Sequence, residues 1–377
     1  MILLGAFAVC LAVPQFVKVH TFIQVILNAN ILVALGSLYS IQLKEGVRDK
    51  QAESSEETLT IKEALKFPLY AGGFLLLIYI IFQSSEGDLL LHLFRFQFSL
   101  MTAATIAPFV VGQLEKNSTR YPNRVFLDKE IVITGDKFHL YFSSHNLIAY
   151  GLGGCLGAAY FFTNHWILNN IIGAIFTIVG IACVKVPKFS VALVLHWLLF
   201  LYDIFFVFGT EVMVSVATRM DVPIKLKFPN HPGFSILGLG DLVIPGFLSA
   251  LCIKFDIDHG LELLSKKTEA AAAAVDTIKL PTFIASMIGY FFGILATMIG
   301  LHMMNSGQPA LLYIVPAMSI AIGISIVLNK NVKKAIIYEA EVQPEKKDSK
   351  KEEQKSNASK ETESQQSSEE KKEPVSG

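Results

Sequence analysis

Charge is scarce in this chain of 377 residues: Asp, Glu, Lys and Arg make up 17% of it, against roughly 25% in an ordinary soluble domain. The shortage is deeper than the average suggests. Of 32 basic and 32 acidic residues, 11 of each lie in 330–377, which leaves 21 of each for the first 329 positions. A body so poor in charge cannot cover itself with polar surface, so a water-soluble fold is excluded. No basic domain stands out and the net charge is +0, which argues against nucleic acid as a partner. Cysteine is equally thin. Cys10, Cys155, Cys183 and Cys252 sit singly in apolar runs, with neither a disulfide framework nor a zinc spacing. None of the 9 His residues forms HExxH, the pattern of a zinc metalloprotease. A GxSG-like nucleophile, a Walker sequence and a dinucleotide fingerprint are also missing. No metal and no cofactor is expected.

What the chain has in abundance is apolar length: 52% hydrophobic residues and a mean hydropathy of +0.49. A bilayer core of roughly 30 Å takes about 20 apolar residues of helix. Nine runs meet that need: 21–42, 67–84, 88–113, 140–162, 166–184, 189–214, 234–253, 281–303 and 308–329. The expected fold is therefore an all-α polytopic membrane protein of about nine transmembrane helices. Its regions are an N-terminal apolar segment over 1–20 with no assigned role, N-terminal helices over 21–184, a functional set over 189–329, and a tail over 330–377. The tail is rich in Lys, Glu, Ser and Gln, too polar to build a core, and reads as disordered.

Lys and Arg are retained on the cytoplasmic side of a membrane. Loops 43–66, 114–139, 185–188 and 254–280 hold sixteen of them, and the alternate loops only three, Arg219, Lys225 and Lys227. The bias predicts a cytosolic tail and, with nine spans, an N-terminus on the lumenal or outer side.

Ionisable groups inside a span are costly and ask for an explanation. Here they are Arg95, His196, Asp203 and Asp241, with Glu211 near a helix end. Arg95 reads as pointing into the bundle or snorkelling, His196 as a polar contact within the bundle, and Glu211 as an interfacial residue. Asp203 precedes Glu211 by eight residues and Asp241 follows Phe234 by seven. At 1.5 Å per residue both lie on the order of 10–12 Å below the same membrane face. Antiparallel neighbours would bring the carboxyls level. Two such groups in low dielectric share one proton. The ionised member can activate water while the protonated member polarises a carbonyl, as in aspartic proteases. From the two aspartates alone, a proton or cation relay in a channel or transporter stays equally open.

The neighbouring residues favour hydrolysis. Gly238 and Gly240 remove side chains just before Asp241. Pro245 deprives the Asp241 carbonyl of its helical donor. Pro309 starts the last span and can keep an irregular stretch beside the carboxyls. A substrate helix must be unwound before attack, and extended enzyme backbone can pair with it as an added strand.

Tyr202-Asp203, Gly238-Leu239-Gly240-Asp241 and Pro309-Ala310-Leu311 resemble the YD, GxGD and PAL motifs of the GxGD-type intramembrane aspartyl proteases. The stretches YDIFFVFGTEVMVSVA, PIKLKFP, LGLGDLVIPG, QPALLYIVPA, RYPNRVF and HWILNNIIGAIF are similar to the signal peptide peptidase family rather than its presenilin cousins. The resemblance spans about 60–330. It implies an endopeptidase of the endoplasmic reticulum membrane, N-terminus lumenal and C-terminus cytosolic. Its substrates would be type II-oriented membrane segments, chiefly remnant signal peptides. Asp203 and Asp241 would be catalytic, with Tyr202, Gly238, Gly240, Pro309, Ala310 and Leu311 supporting site and substrate. Obligatory partner subunits are not implied, and homo-oligomers are common in the family. The chain departs from the family in lacking a terminal dilysine, since it ends KKEPVSG.

Overall fold

The computed structural model describes residues 20–46, 60–84, 87–116, 122–133, 136–184, 186–230, 233–265, 278–304 and 307–340. The expected apolar segment before His20, parts of the polar connections and the tail beyond Ala340 lie outside the described residues. Among the described residues nine long helices are present: α1 (Thr21–Gly46), α2 (Ile61–Gln83), α3 (Gly87–Lys116), α4 (Ser144–Thr163), α5 (Trp166–Cys183), α6 (Phe189–Phe208), α8 (Gly240–Ser265), α9 (Pro281–Met304) and α10 (Leu311–Leu328). Two short ones, α7 (Val212–Arg219) and α11 (Val332–Ile337), accompany them. Among the described residues seven helices, all the long ones except α4 and α8, are long and apolar enough to cross a membrane. The multi-pass architecture is as expected.

Large apolar side chains cover the outside of the bundle. Leu69, Tyr70, Leu100, Phe162, Met303 and Leu328 are each 66% exposed or more. Apolar surface on that scale is a lipid-facing surface, not one that water would tolerate. Polar side chains within the helices bond back to their own backbone. Asn28 Nδ2 donates to the Gln24 carbonyl at 2.7 Å and Ser37 Oγ to that of Val33 at 2.8 Å, so both donors find an acceptor without leaving their own helix. Small residues bring helix backbones together. A Cβ placed on Gly157 would stand 2.3 Å from the Ser99 carbonyl oxygen, and one on Gly153 2.7 Å from Ala103 Cα, so α4 lies against α3 as small-residue stripes allow in membranes.

Sequence and structure part in three places. The connection 114–139 holds a hairpin, β1 (Val125–Ile133) and β2 (Asp136–Ser143), so the span expected from 140 starts at Ser144. There Ser143 Oγ caps the helix by accepting from Asn146 N. The span expected over 189–214 stops at Phe208, and the start of the one expected from 234 is not helical. Residues 225–230 and 233–238 form a second antiparallel pair, β3 (Lys225–Asn230) with β4 (Gly233–Gly238), pairing Lys225 with Gly238 and Asn230 with Gly233. Apolar Leu226 and Phe228 alternate along the strand with Lys225 and Lys227, a period of two rather than 3.6, and Lys225 is buried along with them. Third, the tail is ordered at its beginning. α11 leads to Ala340, whose N–H donates to the Pro187 carbonyl at 2.8 Å, while Lys188 and Glu339 pair at 3.1 Å. Ala335 and Ala340 are buried there, giving 330–340 the apolar anchors that the composition of the whole tail conceals.

Candidate active site

α6 packs against both α8 and α10. Asp203 on α6 is 4% exposed. Its Oδ2 accepts from the Leu311 backbone N–H at 3.0 Å. α10 begins at Leu311 with no side-chain cap from Ala310, so its free N–H groups and positive dipole end meet a carboxyl from another helix. Pro309, Ala310 and Leu311 are all buried. What this stretch offers Asp203 is therefore a main-chain donor, not a side chain.

Asp241 lies in the first turn of α8, immediately after β4. The helix that carries it packs against α6, the helix of Asp203. A Cβ on Gly238 would stand 3.3 Å from Asp241 Oδ2, so glycine there clears the carboxyl. Gly240 is different: its nearest neighbour would be Ile244 Cδ1 at 3.8 Å, an ordinary contact, so space near Asp241 does not demand glycine at 240. Tyr202 packs against Phe206 with ring centroids 4.6 Å apart and planes tilted by 42°, and the two rings face Gly72 of α2. Tyr202 thus seats α6 against α2.

Three further residues shape the site and were not singled out from the sequence. Asn169 and Asn170, both fully buried on α5, close the free edge of β3. Asn169 Nδ2 donates to the Lys225 carbonyl at 2.7 Å. Asn170 donates to the Lys227 carbonyl at 2.7 Å and accepts from Lys227 N at 2.8 Å. Two adjacent amides in the apolar run WILNNIIGAIF were the signal, since such groups need partners. Tyr290 of α9, 0% exposed, donates its hydroxyl proton to the Asp241 carbonyl at 3.1 Å. The missing donor at Pro245 was legible; the identity of its replacement was not.

α9 joins both halves of the site. A Cβ on Gly289 would stand 2.7 Å from Met318 Cα, and one on Gly293 2.6 Å from Ile314 Cα. Thr297 Oγ1 donates to the Gly293 carbonyl at 2.9 Å and reaches that of Ala310 at 3.4 Å.

Of the other intramembrane ionisable groups, His196 is fully buried with Nδ1 2.8 Å from its own helix's Ala192 carbonyl. Arg95 reaches out of α3 to Asp221, with Nε donating to its carbonyl at 3.1 Å and Nη2 3.4 Å from Oδ2. Lys227 also pairs with Asp221, and Asn164 Nδ2 donates to it at 2.6 Å. Burial opposes ionisation of Asp221. The Lys227 and Asn164 hydrogen bonds and the charges of Lys227 and Arg95 outweigh it, so the carboxyl titrates below its ordinary value. This knot fastens β3 to α3 and α4. Asp221→Asn is expected to cost about 1–3 kcal/mol at neutral pH. Because the folded-state value is lowered, the contribution is complete above the ordinary carboxylate range and fades as pH falls through that lowered value. Thermal melting of both forms between pH 7 and pH 3 checks this: the gap should narrow in acid, and a gap that stays constant refutes it.

Among the described residues no cluster of His, Cys, Asp or Glu suits a metal ion. Comparison with known proteins finds relatives over most of the chain. The sequence profile described as signal peptide peptidase matches residues 51–342. The signal peptide peptidases of Mus musculus and Homo sapiens are each 33% identical over 315 residues, covering 78% of this chain and 76% of theirs. Intramembrane protease 2 of Caenorhabditis elegans is 37% identical over 188 residues, 48% of this chain and 39% of its own. With a bundle of membrane-crossing helices and a match over most of its length, the chain belongs to the signal peptide peptidase family of multi-pass intramembrane proteases.

Proposed function

We propose that the chain is an intramembrane aspartic endopeptidase that cleaves type II-oriented transmembrane segments, chiefly remnant signal peptides. The observation that carries this reading is a pair of carboxyls, Asp203 and Asp241, from two packed helices, with one held on the N–H of Leu311. In the proposed reaction the pair holds one proton. The ionised carboxyl takes a proton from water as the oxygen adds to the scissile carbonyl carbon, and the protonated one hydrogen-bonds the carbonyl oxygen. Collapse then breaks the C–N bond, a proton passes to the departing nitrogen, and the pair again holds one.

A segment unwound for cleavage has bare backbone groups. With β3 bonded on one side to β4 and on the other to Asn169 and Asn170, the outer edge of β4 is the strand edge offered to substrate, and it runs directly into Asp241. Pairing there is strand addition. The proposal includes residence in the endoplasmic reticulum membrane with N-terminus lumenal and tail cytosolic, no cofactor, no nucleic acid, and assembly as homo-oligomers within the lipid bilayer.

Detergent-purified protein incubated with a synthetic signal peptide should release fragments cut within the apolar stretch, read by mass spectrometry. Ion flux through proteoliposomes with no fragments would instead make the carboxyls a relay. Turnover should also fall at both pH extremes, because two protons or none disables the pair. A flat profile from pH 4 to about pH 9 contradicts proton sharing.

A further inference from the structure

Pro245 lies four residues after Asp241 in α8 and has no N–H to give the Asp241 carbonyl. Inside a lipid-embedded bundle that carbonyl needs another donor. It finds one on a different helix, in the hydroxyl of the fully buried Tyr290. We propose that Tyr290 is a positioning residue: its hydroxyl stands in for the amide proton missing at Pro245 and holds the first turn of α8 so that the Asp241 carboxyl faces Asp203. This rests on the reading of Asp203 and Asp241 as the reacting pair.

The place of Tyr290 in the fold supports the assignment. It follows Gly289, which seats α9 against α10, the helix whose first N–H holds Asp203. One residue on α9 therefore links the orientation of one carboxyl to the helix that orients the other. The α8–α9 pairing does not depend on it. Asp256 Oδ2 accepts from Thr282 N at 2.8 Å and Phe283 N at 2.9 Å, and Ser286 Oγ donates to Ser249 Oγ at 3.2 Å. These contacts fix the register of the two helices, leaving the Tyr290 hydroxyl to govern only the turn that carries Asp241.

A double-mutant cycle separates positioning from bulk packing. In the native background Tyr290→Phe keeps the ring and loses the hydroxyl. It should lower kcat about tenfold with KM unchanged, and weaken labelling by a photoreactive transition-state analogue by a similar factor. Pro245→Ala restores a backbone donor for the Asp241 carbonyl. In that background Tyr290→Phe should cost less than about threefold. Equal losses in both backgrounds, or undiminished kcat and labelling in the native one, overturn the inference. The native-background kcat and labelling stand even if Pro245→Ala is itself impaired. Asp241→Asn assayed in parallel keeps the two levels apart. Activity retained in Asp241→Asn overturns the carboxyl-pair reading and this inference together. Loss there with no effect of Tyr290→Phe overturns the positioning role alone.

Discussion

Asp241→Asn and Asp203→Asn are each expected to reduce turnover of a signal-peptide substrate by at least about a thousandfold, since acid–base assistance by one positioned group contributes 10²–10⁴-fold and each variant removes one of the two carboxyls that share the proton. Asparagine matches aspartate in shape, and at 203 its carbonyl oxygen can still accept from Leu311 N, so the bond now made by Oδ2 survives. The variants also relieve the fold of an ionisable group in a buried site. Breaking a buried pair usually destabilises because it strands a charge, but here removal leaves a neutral amide beside a carboxyl that can hold its own proton. Thermal stability should therefore be unchanged or raised while cleavage disappears. Loss of activity together with a collapsed melting transition would point to misfolding. More than a tenth of native turnover in either folded variant would show that the carboxyl is not part of the chemistry.

The second large effect is expected at a residue with no side chain at all. Gly293→Ala places a methyl 2.6 Å from Ile314 Cα, whereas carbon atoms settle at about 3.5–4.0 Å. The obstacle is backbone, so α10 must retreat by roughly 1 Å. Ile314 lies three residues past Leu311, and a displacement of that size breaks the 3.0 Å bond from Leu311 N to Asp203. Misplacing a reacting group by about 1 Å costs on the order of a hundredfold. Gly323→Ala, on α10 with nothing within 4 Å of the added carbon, is the matched control and should turn over as the native enzyme does. Equal activity of the two alanine variants would show that the approach of α9 to α10 does not set the site. Steady-state cleavage in detergent, with melting temperatures for both, decides it.

The sequence on its own determined the properties that add up locally. Scarcity of charge demanded lipid, runs of about 20 apolar residues set the long helices, and a few ionisable residues in those runs marked Asp203 and Asp241. These were legible because burial in a bilayer acts on each residue according to its own chemistry and its near neighbours. Only the tertiary structure decided what those residues meet. The stretch 233–238 has enough apolar residues to look like the start of a span, yet it is a strand, because it pairs with β3, whose other side is held by Asn169 and Asn170 from 56 and 57 residues away. Pro245 announced an orphaned carbonyl, but its donor came from Tyr290, 49 residues away from Asp241. Leu311 serves Asp203 through an N–H that every residue but proline has. Main-chain donors and acceptors are the same at every position, so which of them serve the site is settled by how helices pack, a property carried by glycines and buried amides acting together.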